Sequence, residues 1–96
     1  MNLVPGVQRI TADGVIGTAG HPIRVFCVCL VSGGTASELL LRNGKTVSDT
    51  VNAQIDGTLS VGVTVNFAGG LLFPNGLYAD VDSNISYATI SYTEEV

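Results

Sequence analysis

Charged side chains are scarce in this sequence of 96 residues. They make up 12% of the chain, against about 25% in a typical soluble domain. Apolar residues account for 46% of the chain, so few charges remain to keep separate copies apart in water. The shortage predicts that part of the surface is covered by other subunits and that the protein works as a homo-oligomer.

Basic residues are the rarer charged group. The sequence has four of them against eight acidic residues, which gives a formal net charge of −4. They form no cluster in the sequence and are Arg9, Arg24, Arg42 and Lys45. Because affinity for nucleic acid depends on clustered basic side chains, no nucleic-acid partner is expected.

Long apolar runs are also absent. The longest run is far shorter than the roughly 20 residues that a helix needs to cross a bilayer. The N-terminal residues M-N-L-V-P-G lack the basic start and the apolar stretch of a secretory signal. The expectation is therefore a chain that is made and kept in the cytosol or leaves by lysis, and that has no membrane partner.

Side chains suited to catalysis or metal binding are few, with one histidine and two cysteines. Cys27 and Cys29 are spaced i and i+2 in an extended segment, which is unfavourable for a mutual disulfide. Zinc would need two further ligands, and His21 has no motif around it. No serine lies in a nucleophile elbow. The sequence predicts no catalytic residue, no metal and no cofactor, and therefore a protein that is not an enzyme.

Two aspartates have the spacing of the first ligands of a calcium-binding loop. They are Asp80 and Asp82, but Ile85 stands where such a loop has glycine and Ser91 where it has glutamate. A helix-flanked calcium loop is excluded. An irregular ion site and a pair of solvated aspartates both stay open.

In the segment 46–55 the alternate residues expected to point one way are apolar, namely Val47, Val51, Ala53 and Ile55, and Asp49 interrupts this row. This position fits either a catalytic depression, or a bulge or a salt bridge to Arg42 or Lys45 across the neighbouring turn.

Residues 22–31, P-I-R-V-F-C-V-C-L-V, are apolar on both faces of a strand. Such a strand is expected in the middle of a sandwich or at a contact between subunits, where both faces are covered. Regular alternation places Ile23, Val25, Cys27, Cys29 and Val31 on one face and Phe26, Val28 and Leu30 on the other. The two cysteines are accordingly expected to be buried as small apolar residues.

The rest of the chain alternates with the period of strands and contains no helical window. About seven strands are predicted, at 7–12, 22–31, 36–42, 46–55, 58–67, 77–82 and 85–93. Turn signals such as Asn43-Gly44 separate them. The strands at 22–31 and 36–42 are expected to form a hairpin, and the tail after residue 93 is expected to fray. The predicted fold is a single all-β domain over residues 1–96, a small antiparallel, jelly-roll-like β-sandwich.

The segment 58–67 is the most regular amphipathic strand in the sequence. The apolar side chains expected to point into the core are Leu59, Val61, Val63, Val65 and Phe67, and small or polar residues stand between them.

Four segments cover most of the chain with strand-and-turn patterns. They are N-F-A-G-G-L-L-F-P-N-G-L-Y-A-D-V-D, S-Y-A-T-I-S-Y, G-H-P-I-R-V-F and S-G-G-T-A-S-E-L-L-L-R-N-G. Together they resemble small β-sandwich virion proteins of tailed bacteriophages. The resemblance implies a structural protein of the virion, assembled in the host cytoplasm, either a capsid decoration (cement) protein or a small tail component. It further implies a homo-oligomer, often a homotrimer, whose partner is the major capsid protein or another virion protein.

A module that clamps neighbouring subunits needs a rigid body and an apolar segment that contacts the surface beneath it. The residues predicted to form this interface are Leu71, Leu72, Phe73 and Tyr78. The alternative function is a receptor- or glycan-binding sandwich of a phage tail or fibre, with Tyr78, Tyr87 and Tyr92 stacked on sugars. A hydrolase is the third possibility.

The low charge predicts self-association. Light scattering at micromolar concentration is expected to give a mass that is a multiple of 9.9 kDa. A clean monomer would contradict the inference from composition.

Overall fold

A computed structural model describes residues 2–58 and 62–96, which form eight strands in two antiparallel sheets. The strands are β1 (Leu3–Ile10), β2 (Gly14–Ile16), β3 (Ile23–Ser32), β4 (Ser37–Asn43), β5 (Thr50–Gly57), β6 (Gly62–Phe73), β7 (Leu77–Val81) and β8 (Ile85–Glu95). The all-β sandwich is confirmed. None of the described residues forms a helix that is long and apolar enough to span a membrane.

The strand order is that of a jelly roll. Sheet A has the order β1-β8-β3-β6, and sheet B has the order β2-β7-β4-β5. Consecutive strands alternate between the sheets except β4 and β5, which pair with each other. The hairpin expected between segments 22–31 and 36–42 is wrong, because β3 and β4 lie in different sheets. Their connection crosses the sandwich, where the Ser32 and Ser37 hydroxyls share a buried hydrogen bond of 2.6 Å.

Strand β3 is central, as expected, but its two faces exchange roles half-way along. The pairing with both β8 and β6 shifts between Val25 and Cys27, with Phe26 as the extra residue opposite β8. Val25 is buried before this bulge and Val28 after it. The bulge therefore turns Cys27 and Cys29 to the outer face, where they are partly exposed free thiols, and the prediction that they are buried is wrong.

Strand β6 does not end at Phe67. It continues to Phe73 through a large irregular bulge at residues 67–70, which lies opposite the bulge in β3. Gly69 and Gly70 have φ of 77° and 85°, a region that favours glycine. A Cβ on Gly70 would also collide with the Arg24 side chain. Of the side chains expected to point inward from 58–67, those at 59 and 61 lie outside the described residues.

The apolar triplet 71–73 alternates as part of this strand. Phe73 is 0% exposed and belongs to the core, whereas Leu72 is 42% exposed. Leu71 is partly buried against the core. Phe73 is therefore a core residue, which corrects its expected position in an exposed contact loop.

The second strand of the β4–β5 hairpin starts later than expected. β5 begins at Thr50, so residues 44–49 form the connection and Val47 is exposed. The pairing register also shifts next to Asn52, between the pairs Leu41–Ala53 and Arg42–Val51. Because of this shift Ile55 points inward while Val51 is exposed, and the expected single apolar row is interrupted.

The C-terminus is part of sheet A and is not frayed. β8 extends to Glu95 and lies between β1 and β3. Reciprocal backbone hydrogen bonds of 3.1 and 2.9 Å join Asn2 and Val96. The acidic tail therefore takes a defined place in the fold.

The alternation of Leu72 and Phe73 gives a direct test of the fold. Phe73→Ala is expected to lower the free energy of unfolding by about 3–5 kcal/mol, because it leaves a cavity in a closed core. Leu72→Ala, the neighbouring control, is expected to cost less than about 1 kcal/mol. Urea unfolding followed by circular dichroism measures both. Equal losses would contradict the assigned orientation of β6.

Candidate functional site

The outer face of sheet A is the candidate contact surface. Its side chains come from four strands and include Leu3, Val7 and Arg9 of β1, Arg24, Phe26, Cys27, Cys29 and Val31 of β3, Thr64, Asn66 and Leu72 of β6, and Tyr87, Thr89, Ser91, Thr93 and Glu95 of β8. Only three of these side chains are charged, namely Arg9, Arg24 and Glu95. The remainder are apolar, small or uncharged.

Net charge is distributed unequally between the sheets. The strands of sheet B and the turns that flank them hold six acidic residues, Asp13, Glu38, Asp49, Asp56, Asp80 and Asp82, and two basic residues, Arg42 and Lys45. Sheet A holds two of each sign, Glu94 and Glu95 against Arg9 and Arg24. The whole net charge of −4 therefore belongs to sheet B, and sheet A is neutral.

Several large apolar side chains are exposed on the outer face of sheet A. Val7 is 71% exposed, and Leu3, Phe26 and Leu72 are also exposed. Leu3 and Leu72 line a shallow cavity of about 170 Å³ together with Pro22, Arg24, Thr93 and Glu95. Exposed apolar residues on a face with few charges are typical of a surface that another protein covers.

The middle of this face consists mainly of small or uncharged side chains. One row across the sheet is Val7, Ser91, Cys27 and Asn66. The Arg9 guanidinium lies 4.1 Å from the centre of the Tyr87 ring, so one of the few charges is already held against an aromatic face.

The four predicted interface residues are not brought together. Leu72 lies on the outer face of sheet A, while Tyr78 lies on the outer face of sheet B, next to Arg42. Leu71 and Phe73 point into the sandwich. Leu72 and Tyr78 stay candidate contact residues, on opposite sides of the molecule.

The three tyrosines of the glycan-binding alternative also lie apart. Tyr78 is on sheet B, Tyr87 is on the outer face of sheet A, and Tyr92 packs against the core. Burial, with a smaller effect of the nearby Glu94 carboxylate, raises the pKa of Tyr92. The three rings form no common platform for a sugar.

The acidic groups on sheet B are bound to protein atoms. The Asp80 carboxylate lies 2.8 Å from the Arg42 Nη2 atom. Asp82 accepts hydrogen bonds of 2.9 Å from the Glu38 N–H and 3.0 Å from the Asn84 N–H. Within residues 2–58 and 62–96, no group of three or more His, Cys, Asp or Glu side chains is placed to hold a metal ion.

Asp49 organises the β4–β5 connection. Its carboxylate accepts hydrogen bonds of 2.8 Å from the Lys45 N–H and from the Thr46 N–H. These two hydrogen bonds hold the pKa of Asp49 below its ordinary value. Arg42 donates to the Asp49 backbone carbonyl at 2.8 Å. The Asp49 carboxylate therefore binds backbone N–H groups of its own loop, and Arg42 contacts the Asp49 backbone carbonyl in place of the salt bridge offered as one alternative.

A polar cluster at one end of the sandwich was not foreseen from the sequence. Glu94 points inward from β8, with its side chain 11% exposed, and its Oε2 atom lies 3.4 Å from the His21 Nδ1 atom. Its Oε1 atom accepts a hydrogen bond of 2.8 Å from the Thr18 N–H. Gly17 has φ of 67°, and a Cβ there would collide with the Glu94 carboxylate. The predicted strand ended at residue 93 and the acidic tail was expected to fray; continuing the same alternation by one residue places residue 94 inward, as the structure has it.

Hydrogen bonding determines the ionisation of this carboxyl group. The hydrogen bond to the Thr18 side chain lowers the pKa of Glu94 most, burial opposes it, and the Thr18 N–H and His21 lower it further. Through its contacts with Thr18 and His21, the Glu94 carboxylate ties the 17–21 segment to β8.

Comparisons with protein-family models, with curated proteins and with solved structures find no match to this chain.

Acidification tests the role of Glu94. Because its folded-state pKa lies below the ordinary value of 4.5, the ionised carboxylate stabilises the fold above about that pH. This stabilisation is lost as the pH falls through the folded-state pKa. We expect Glu94→Gln to be less stable than the wild type at pH 7 and to lose less stability on acidification. Thermal unfolding between pH 7 and pH 3 measures the difference.

The control is Glu95→Gln, which makes the same change on the outer face. If Glu94→Gln and the wild type lose stability in parallel as the pH falls, the carboxylate does not hold the 17–21 segment.

Proposed function

We propose that this chain is a structural virion protein that binds and stabilises a phage shell as a homo-oligomer, and that the outer face of sheet A is its docking surface. The observation that carries the proposal is the confinement of the net charge to sheet B. A protein with one sparsely charged, partly apolar face and one acidic face can bind a neighbour through the first and keep the second in water.

The size of the face is adequate for a stable contact. The molecule has extents of 42 × 26 × 18 Å, so its broad side covers on the order of 1,000 Å². A standard protein interface buries about 800 Å² on each partner. Most of the outer face of sheet A would be covered by one such contact, including the exposed Val7 and Leu72.

The fold suits this role without specifying it. Jelly rolls occur in viral capsid proteins and also in lectins, so the fold alone assigns neither function. The resemblance of the four strand-and-turn segments to phage virion proteins favours the shell. The separation of Tyr78, Tyr87 and Tyr92 gives the glycan-binding alternative no aromatic platform.

The proposal predicts an asymmetric response to surface charge. Leu72→Asp, on the outer face of sheet A, is expected to weaken binding to shells purified from the encoding phage at least about tenfold, because it places a charge in an apolar contact. Val51→Asp, on sheet B and similarly exposed, is expected to bind as the wild type does. Co-sedimentation over a range of protein concentrations measures both, with circular dichroism as the check on folding.

Two results would refute the proposal. One is wild-type protein that does not sediment with shells but binds an oligosaccharide array. The other is a loss of shell binding with Val51→Asp and none with Leu72→Asp, which would move the docking surface to sheet B.

A further inference from the structure

The two long sides of the sandwich are closed differently. On the side of β1 and β2, the Gln8 amide bridges the sheets, donating to the Val15 carbonyl at 3.2 Å and accepting from the Gly17 N–H at 3.0 Å. Ile10 and Ile16 behind it are buried. This side needs no further cover.

The side of β5 and β6 is open. Val63, Val65 and Phe67 point inward from β6, yet each stays partly exposed, as does Ala53 of β5. In the part of the chain that the structure describes, no side-chain hydrogen bond joins β5 to β6. Apolar core residues are therefore partly exposed to solvent along this edge. A further strand would remove the unfavourable free energy of that exposure.

Strand β6 is also the least protected edge of the molecule. Edge strands usually carry charges, proline or a bulge that prevents pairing with another chain. β1 contains Pro5 and Arg9, β2 has three residues, and β5 contains Asp56 and a bulge. Residues 62–68 of β6 contain neither a charge nor a proline. Their outward backbone N–H and C=O groups face away from β3 and are available for a ladder.

We propose that a second copy of this chain pairs antiparallel with β6 about a two-fold axis through Val65, so that the two A sheets become one sheet of eight strands. The inference deepens the proposed function and rests on it for the expectation that the protein assembles. It specifies the contact surface, strand β6, and the number of copies, two, for one step of that assembly.

The sequence of 62–68 is self-complementary in this register. Val65 meets Val65 of the second copy, and Val63 meets Phe67, so the inward row stays apolar. On the outer face Thr64 meets Asn66, a pair of uncharged side chains able to hydrogen-bond. Slipping by one residue would place apolar against polar faces. The bulge at 67–70 ends the available edge.

The paired edge itself carries no charge, because residues 62–68 contain no acidic or basic side chain. The same pairing brings the two B sheets side by side, since β5 and β6 lie on the same side of the sandwich. A two-fold contact is isologous and closes at two copies. The trimer implied by the resemblance would need a different contact.

A pair of double variants tests both the edge and the register. Thr64→Glu with Asn66→Glu places like charges opposite each other twice across the axis, and the dimer dissociation constant is expected to rise at least about tenfold. Thr64→Lys with Asn66→Glu places the new lysine of each copy opposite the new glutamate of the other, and this variant is expected to stay dimeric. Sedimentation velocity at protein concentrations of about 1 to 100 µM measures the dimer dissociation constants of both variants.

Each outcome decides the inference. Dissociation of the first variant alone supports it. A monomeric or trimeric wild type, two variants that both stay dimeric, or two variants that both dissociate would overturn it. Circular dichroism excludes unfolding as the cause. Co-sedimentation of the monomeric variant with phage shells separates the two proposals, because shell binding through sheet A does not require the β6 pair.

Discussion

The bulge at Phe26 is the constraint on which the rest of the structure depends. It inserts one residue into the central strand of sheet A, and the pairing with both neighbours shifts at the same level. A strand whose sequence is apolar on both faces can therefore bury Val25 and Val28, which have opposite parity. Without the shift, Cys27 and Cys29 would face the core and Val28 would face solvent. The larger bulge in β6, with two glycines of positive φ, lets the edge strand follow the same bend.

Polar groups placed inside the sandwich fix the crossings that the apolar core leaves unspecified. Apolar contacts are not directional, so they determine which faces meet but not where a loop crosses. The buried pair Ser32 and Ser37 marks one crossing. Gln8 joins the sheets along one side, and Glu94 holds the 17–21 segment at the end. Each group satisfies a hydrogen-bonding need that burial creates, and each selects one arrangement among several compact ones.

Periodicity predicted the fold class and the central position of β3, because these follow from the local pattern of apolar residues. It failed where one residue breaks the alternation. The bulges at Phe26 and Asn52 each put the residues before and after them out of step. The cysteines, after Phe26, and Val51, before Asn52, were therefore assigned to the wrong face. The short β2 has too few residues to show a period. Glu94 was misread because an acidic tail is usually solvated, while its partners Thr18 and His21 are distant in sequence. Pairing between distant segments is the information that a single sequence lacks.

The scarcity of charge has a different meaning once the charges are placed. If the few charged side chains were spread evenly over the surface, every face would be weakly cohesive and disordered aggregation would be favoured. Here the acidic residues are concentrated on sheet B, where Asp80 pairs with Arg42 and Asp82 caps a strand. Sheet A carries few charges on its broad face and none at residues 62–68. Like-charge repulsion then opposes contacts between the outer faces of two B sheets more than contacts through the outer face of sheet A, which is the asymmetry that the proposed assembly uses.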